Sequence, residues 1–384
     1  MRNYNAGAHL LLLNSFAPSS TFDIKPAIAK IRALRYPDAI RGVLVRVGWD
    51  DTTNGVRPDG RQDWVPAKIA GLVQMVRDAA AAGLVCSLNL EFKGFGGHFE
   101  AGAGMIGGHI APAYARSGFG NTRFGTGCEY PYESAGTWGG GYILACQYPA
   151  VRVEFLRWAK ELISTLEAAA PEACEGIFFT ETAVGTAMNP VTGEFDPLPA
   201  AEFDAWMDGV FDLQMGMRNH ARKFWIGCAT NYPIGDTPGG AIPYMTRKMH
   251  DEGLAIVPPN LWRKNAQSER LDAPGTRTNE KKVYGHFPEA WGKTVTAVQV
   301  QPAETETLDR DDAIAADRHH AETGDWTSPL WKLIDQQELL DKARRKDWTA
   351  NLQQGLGCTH IFIGTKEVRE GRHTDAGKLS PWEM

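Results

Sequence analysis

The feature that most constrains this chain is the regular alternation of eight short apolar segments with amphipathic stretches. The apolar segments are bounded by glycine, proline or polar residues, which is typical of buried parallel strands. They are AHLLLLN (8–14), GVLVRVGWD (42–50), LVCSLNLEF (84–92), GIFFTE (176–181), KFWIGCATN (223–231), GLAIVPP (253–259), VTAVQVQ (295–301) and THIFIGT (359–365). Stretches such as 24–35, 65–83, 151–170 and 201–222 carry apolar residues at helical spacing. We therefore predict an α/β fold, a (β/α)8 TIM barrel.

Long loops follow strands three, six and seven of this pattern. The segment at about 91–148, after strand three, is rich in glycine and aromatic residues, and polar loops follow at about 263–294 and 302–328. Loops at the carboxyl ends of barrel strands form the face where such folds build their sites. We expect one barrel domain over residues 1–384 with long loops on its C-terminal face. The alternative for 91–148 is an insertion that only covers the rim.

Charge and hydropathy exclude several classes of partner. The net charge is −6 and the basic residues are scattered, so we predict no nucleic-acid and no membrane partner. No apolar run approaches the roughly 18 residues of a membrane span. The run in AHLLLLN is too short for a signal-peptide core. We expect a cytoplasmic protein, or one released by lysis or carried on a particle if it is viral.

The cysteines and histidines give no metal-binding pattern. Six cysteines lack zinc spacing, and those inside strands, Cys86 and Cys228, are expected to be reduced and buried. Cys128 and Cys146 flank the glycine-rich loop and are either bridged or reduced. A metal site built from Glu91, His98, His109, His319 and His320 is a weaker alternative, since no HxH or HExxH spacing supports it. No nucleotide-binding loop is present either, so we predict no cofactor.

Polar side chains gather at the carboxyl ends of five predicted strands. Alternate residues of a barrel strand face the interior, so Arg46, Gly48 and Asp50 share one face of strand two, opposite the valines. An arginine inside a strand needs a carboxylate partner. Near the mouth of the barrel such a pair can also take part in function. The same alternation groups the following sets: Ser87, Asn89 and Glu91; Ile177, Phe179 and Glu181; Gly227, Ala229 and Asn231; Ala297, Gln299 and Gln301.

Two of the carboxylates come from nearly opposite sides of the predicted mouth. Glu181 ends strand four, and Glu304 follows strand seven just beyond Pro302. Facing carboxylates are what cleavage of a glycosidic bond requires. They stand about 5–5.5 Å apart in retaining enzymes and about 6.5–9.5 Å apart in inverting ones. The pattern therefore predicts a glycosidase, with Glu306 as a second candidate for the role of Glu304.

Glutamates at the ends of strands four and seven make the chain resemble the clan A retaining glycoside hydrolases, which are (β/α)8 barrels. The resemblance implies that Glu181 is the acid/base and Glu304 the nucleophile. It also implies that Arg46 hydrogen-bonds the nucleophile, as in cellulase-like members, and that the substrate is an oligo- or polysaccharide. The expected substrate-binding residues are Arg46, Asp50, Asn89, Glu91, Asn231, Tyr232, Trp262 and Gln301.

Two other functions fit the same residues. An inverting glycosidase would combine Glu181 with Asp50 or Glu91. A barrel without catalytic activity would use the aromatic loop only to bind glycan, for instance as part of a virus or another particle. Loss of the Glu181 acid group would then change binding modestly and break no covalent bond.

Overall fold

A computed structural model gives the fold of the chain. It describes residues 7–12, 23–33, 40–91, 93–94, 98–100, 104–117, 121–122, 125–132, 141–171, 173–179, 186–188, 195–197, 200–229, 248–249, 251–257, 295, 297–300 and 360–364. The helices are Lys25–Ala33 (α1), Trp49–Thr52 (α2), Pro66–Ala81 (α3), Ala113–Arg116 (α4), Pro149–Ala169 (α5) and Ala200–His220 (α6). Proline at the first position of α3 and α5 suits a helix start, because its fixed φ is already helical and its missing N–H has no partner there.

The strands fall into one large sheet and five small hairpins. In chain order they are Gly7–Leu12 (β1), Ile40–Gly48 (β2), Thr53–Val56 (β3), Gln62–Trp64 (β4), Val85–Glu91 (β5), His98–Glu100 (β6), Gly104–Ile106 (β7), Asn121–Thr122 (β8), Gly125–Thr126 (β9), Glu129–Tyr132 (β10), Gly141–Leu144 (β11), Cys174–Phe179 (β12), Thr186–Met188 (β13), Phe195–Pro197 (β14), Trp225–Ala229 (β15), Ala255–Val257 (β16), Ala297–Val300 (β17) and His360–Gly364 (β18).

The large sheet is the predicted (β/α)8 barrel. Its eight strands are parallel, in the order β16-β15-β12-β5-β2-β1-β18-β17, and they coincide with the eight segments predicted from the sequence. The first and last strands of this order, β16 and β17, also contact each other. Each strand therefore lies beside its neighbour in the chain, and the sheet curls until its two ends meet, as a barrel requires.

The predicted division of strand two into an inner and an outer face is confirmed. Val43, Val45 and Val47 are fully buried in the core cluster that also contains apolar residues of α1 and α3. Arg46 pairs in register with Asn89, and Gly48 with Glu91, which places these four residues on the inner side. The strand ends at Gly48, and Asp50 belongs to the short helix α2 instead.

In strand four the predicted faces are reversed. Ile177 and Phe179 are in register with Leu88 and Leu90 and belong to the outer core, so they do not face the interior. Gly176 lies on the inner side, where a Cβ atom would come within 1.9 Å of the Trp225 ring. The strand ends at Phe179, and Glu181 lies outside the described residues.

The region at about 91–148 contains secondary structure of its own. The hairpins β6–β7, β8–β9 and β10–β11 and the short helix α4 lie within it. Cys128 and Cys146 in this region are both buried and free, so the structure has the reduced form of the two alternatives. Cys86 and Cys228 are buried and free, as predicted. Among the described helices none is long and apolar enough to cross a bilayer.

Candidate active site at the barrel mouth

A buried ion pair joins the carboxyl ends of β2 and β5. The Arg46 Nε donates to Glu91 Oε2 at 2.6 Å, and the Nη2 contacts the other carboxylate oxygen. The Glu91 side chain is 4% exposed and that of Arg46 is 27% exposed, so the guanidinium is the member of the pair that reaches solvent. Two-point contact of this kind fixes both groups in one orientation.

Two aspartates of α2 lie beside this pair. Gly48 makes room for them, because a Cβ atom there would lie 2.9 Å from Asp50 Oδ1 and 3.1 Å from Asp51 Oδ2. We call Arg46, Asp50, Asp51 and Glu91 the mouth cluster. A single cation among three carboxylates leaves an excess of negative charge when all three are ionised.

Packing against aromatic residues of α5 and hydrogen bonds hold the short helix α2 in place. Trp49 is fully buried and meets Phe155 edge-on, with ring centroids 5.6 Å apart. The Thr52 hydroxyl donates to the Gly48 carbonyl at 2.9 Å and accepts the Trp158 Nε1–H at 2.9 Å. Four residues would not form a stable helix alone, so these contacts hold Asp50 and Asp51 in place.

The pKa values of the three carboxyls are all raised. Asp50 is exposed to solvent, but partial desolvation by the surrounding protein atoms, with the charges of Asp51, Glu91 and Glu129, raises its pKa to about 7. Burial also raises the pKa of Glu91, and the Arg46 guanidinium opposes that rise. The pKa of Asp51 is raised by burial as well. Asp50 is therefore a carboxyl that can hold or release a proton near neutral pH while in contact with solvent.

A second buried carboxylate, Glu129, anchors the loop that borders the cluster. Its Oε2 accepts hydrogen bonds from the backbone N–H groups of Ile110 and Ala111 at 3.0 and 3.1 Å, and its Oε1 contacts His109 Nδ1. The Ile110 carbonyl in turn accepts the Asp50 N–H at 3.1 Å. The ring of His109 stacks on Tyr142, with centroids 4.1 Å apart. This loop segment is thus fixed between Glu129 and α2.

The described residues include four of the ten site residues predicted from the sequence. Arg46, Asp50 and Glu91 meet in the mouth cluster, and Asn89 is buried on the same inner face next to Arg46. The described partner of Arg46 is Glu91. The remaining six lie outside the described residues: Glu181, Asn231, Tyr232, Trp262, Gln301 and Glu304. His319 and His320, weighed as metal ligands, lie outside them too.

Sequence reasoning missed Glu129. The available signal was a lone carboxylate in the otherwise apolar and aromatic stretch CEYPY, because an acid in such a run must find donors when it is buried. His109 was weighed as a metal ligand, whereas its described partners are Glu129 and Tyr142.

The chain matches no described protein family, and no curated protein matches it in sequence. Its fold is similar to the catalytic domain of a β-amylase from Paenibacillus polymyxa, with a TM-score of 0.53 and 7% identity over 93% of this chain and 91% of that one. A GH5-4 broad-specificity endoglucanase from an uncultured bacterium gives a TM-score of 0.44 and 10% identity over 94% of this chain and 87% of that one. Morphinone reductase gives a TM-score of 0.43 and 13% identity over 94% of this chain and 81% of that one.

These similarities concern the fold. The expected remote resemblance to the clan A (β/α)8-barrel glycosidases is confirmed at that level. Because barrels host many unrelated reactions, the reaction must be argued from the site.

The raised pKa of Asp50 predicts that Asp50→Asn stabilises the protein at alkaline pH. The folded-state pKa of about 7 lies above the value of 3.8 for an unperturbed aspartate, so Asp50 makes wild-type stability fall as pH rises from about 4 to about 7. Asparagine carries no charge and removes this loss. In urea unfolding at pH 8 we expect the variant to be more stable than wild type, with the gain disappearing below about pH 4.

Asp63→Asn is the matched control for this measurement. Asp63 forms a loose surface pair with Arg57, with Oδ1 and Nε 3.8 Å apart and both side chains half exposed. Its replacement should change the free energy of unfolding by less than about 0.5 kcal/mol at either pH. An Asp50→Asn variant that is less stable than wild type at pH 8 would contradict the raised pKa.

Proposed function

We propose that this protein is a glycoside hydrolase that cleaves an oligo- or polysaccharide with two carboxyl groups at the mouth of its barrel. The observation that carries the proposal is the mouth cluster, in which a solvent-accessible carboxyl with a pKa of about 7 stands beside a buried carboxylate paired with arginine. Carboxyl groups with different environments at the carboxyl ends of barrel strands are suited to acid–base catalysis.

In the retaining form of the mechanism, Glu181 protonates the leaving oxygen while Glu304 attacks the anomeric carbon. Water then cleaves the covalent intermediate, with Glu181 acting as the base. The mouth cluster would border the cleft, and the Arg46 guanidinium, with its partly exposed face, would bind sugar hydroxyls or a carboxylate. Asn89, Asn231, Tyr232, Trp262 and Gln301 are the other proposed substrate contacts. The proposed catalytic roles of Glu181 and Glu304 rest on the sequence and its resemblance to clan A.

A second mechanism is favoured by one observation, the pKa of Asp50. A carboxyl with a pKa of about 7 is protonated in a large fraction of molecules near neutral pH, as a general acid must be. Asp50 would then protonate the leaving group, and Glu181 would activate water from the other side of the sugar. This mechanism inverts the configuration at the anomeric carbon.

The first experiment is to incubate the protein with bacterial, plant and algal polysaccharides and to measure the release of reducing sugar. The Glu181→Gln variant serves as the comparison, since glutamine keeps the size of the side chain but has no proton to transfer. Proton NMR of the first products then gives their anomeric configuration. Retention supports the Glu181 and Glu304 pair, and inversion supports the Asp50 mechanism.

Two results would overturn the proposal. If the wild-type protein binds a glycan but cleaves nothing, the protein is a carbohydrate-binding barrel without catalytic activity. If it neither binds nor cleaves any polysaccharide of the panel, the mouth cluster serves another reaction, and the glycosidase assignment fails.

A further inference from the structure

Three ligand-type side chains meet inside the barrel at the end opposite the mouth. His9 comes from β1, Glu175 from β12 and His360 from β18, and their exposed fractions are 0%, 8% and 1%. We call these residues the floor cluster. Each residue can place one nitrogen or oxygen atom within 4.8 Å of those of the other two. His360 Nε2 lies 3.4 Å from Glu175 Oε1, and the two imidazole rings have centroids 4.9 Å apart.

Irregular strand pairing coincides with two members of the floor cluster. The pairing of β12 with β5 shifts register between Cys174 and Gly176, where Glu175 lies. The pairing of β1 with β2 shifts between Ala8 and His9. A bulge adds a residue to one strand and redirects side chains locally, and bulges are common beside functional sites. The two shifts of register lie where His9 and Glu175 approach His360.

A glycine completes the space for the cluster. A Cβ atom on Gly42, the neighbour of His9 across the ladder, would lie 2.5 Å from His9 Nδ1. Any other residue at this position would therefore displace the imidazole.

The chemistry of the three side chains fits a divalent transition-metal ion. Neutral imidazole nitrogen and carboxylate oxygen are the usual ligands of Zn²⁺ besides thiolate, at about 2.0–2.2 Å from the ion. Tetrahedral ligands at that distance from a common ion lie about 3.3–3.6 Å apart. The His360 Nε2 and Glu175 Oε1 atoms, 3.4 Å apart, already have this spacing, whereas atoms separated by up to 4.8 Å would have to approach by about 1 Å when the ion binds.

We propose that the floor cluster binds one divalent transition-metal ion of the Zn²⁺ class. The site lies at the end of the barrel away from the mouth cluster, so its role is structural. β12 is separated from β1 by β2 and β5 in the sheet, so an ion held by Glu175 and the two histidines would tie opposite parts of the barrel wall together. This inference does not depend on the proposed glycosidase activity.

The test is metal binding by the full, untagged chain. Protein dialysed against a chelator is titrated with Zn²⁺ or Co²⁺, and bound metal is measured by mass spectrometry and by the visible absorption of Co²⁺. We expect one equivalent per chain and a rise in Tm of about 3 °C at saturation. Glu175→Gln and His360→Gln should lose this equivalent. His109→Gln should keep it, since it removes a histidine from a different histidine–glutamate contact.

The proposal is overturned if the dialysed wild-type chain binds well below one equivalent and its Tm does not change with either metal. It is also overturned if Glu175→Gln and His360→Gln bind metal as wild type does, since the ion would then lie elsewhere. Should both variants fail to fold, the Co²⁺ spectrum of the wild type decides, because nitrogen and oxygen ligation without sulfur gives no intense thiolate charge-transfer band.

Discussion

Glu181→Gln is expected to lower the rate of glycoside cleavage by about 10³-fold, within the usual contribution of a general acid or base. Glutamine preserves the volume and hydrogen bonding of the side chain but transfers no proton, so substrate binding should change little. In the retaining mechanism the loss should be smaller on an aryl glycoside with an acidic leaving group, because that group departs without protonation. The measurement is kcat/KM, which reports the first step of the reaction, on a natural substrate and on such an aryl glycoside.

The control for this variant is Glu167→Gln, on the last turn of α5 and therefore at the end of the barrel opposite the mouth. It should retain wild-type activity. Asp50→Asn and Glu304→Gln separate the two mechanisms. The retaining mechanism predicts that Glu304→Gln is the more severe of the two, and the inverting mechanism predicts that Asp50→Asn is. Full activity of Glu181→Gln would show that Glu181 takes part in neither mechanism.

Arg46→Met is expected to destabilise the folded state by about 3 kcal/mol at pH 8, because it leaves the Glu91 carboxylate buried without its cation. Methionine keeps much of the apolar stem, so the loss reports mainly the charge. Burial already raises the pKa of Glu91 above its unfolded value, and removal of Arg46 should raise it further. The loss of stability should therefore grow as pH rises above the pKa of Glu91 in the unfolded chain. It should shrink on acidification, when Glu91 takes up a proton.

Arg57→Met is the matched control, since the ion pair of Arg57 within the described part of the chain is the loose surface contact with Asp63. Urea unfolding of both variants at pH 5 and pH 8 gives the comparison. The double variant Arg46→Met, Glu91→Gln should recover part of the loss, because it removes the unpaired charge as well. Equal effects of Arg46→Met and Arg57→Met at pH 8 would show that the Arg46 pair contributes no more than a surface contact.

The barrel and three of the four mouth-cluster residues, Arg46, Asp50 and Glu91, could be predicted from the sequence. The eight strands are marked by apolar runs, and strand two also carries polar residues at alternate positions, which is why Arg46 and Glu91 could be placed on inner faces. In strand four the run GIFF is apolar on both faces, so alternation does not distinguish inside from outside. The bulge at Glu175 gives no sequence signal either, and the predicted faces were reversed.

The contact partners of individual side chains could not be predicted, because they depend on the register between strands and on the conformation of loops. Arg46 meets Glu91 only because β2 and β5 pair with Gly48 opposite Glu91. Glu129 reaches the mouth through a hairpin that has no periodic pattern, and the floor cluster combines residues more than 160 positions apart in the chain, from His9 to Glu175 to His360. Glu181, Glu304 and the other four residues outside the described ranges remain predictions.

The anchoring of the loop by Glu129 has a consequence for how this protein can change. His109, Ile110 and Ala111 are tied to Glu129 on one side, and Ile110 is tied to Asp50 on the other. Residues of the insertion before and after this anchored segment can therefore lengthen, shorten or exchange their aromatic side chains without moving Asp50. Sequence change in the insertion is thereby uncoupled from the position of Asp50, because Asp50 belongs to α2 and contacts the insertion through the anchored Ile110.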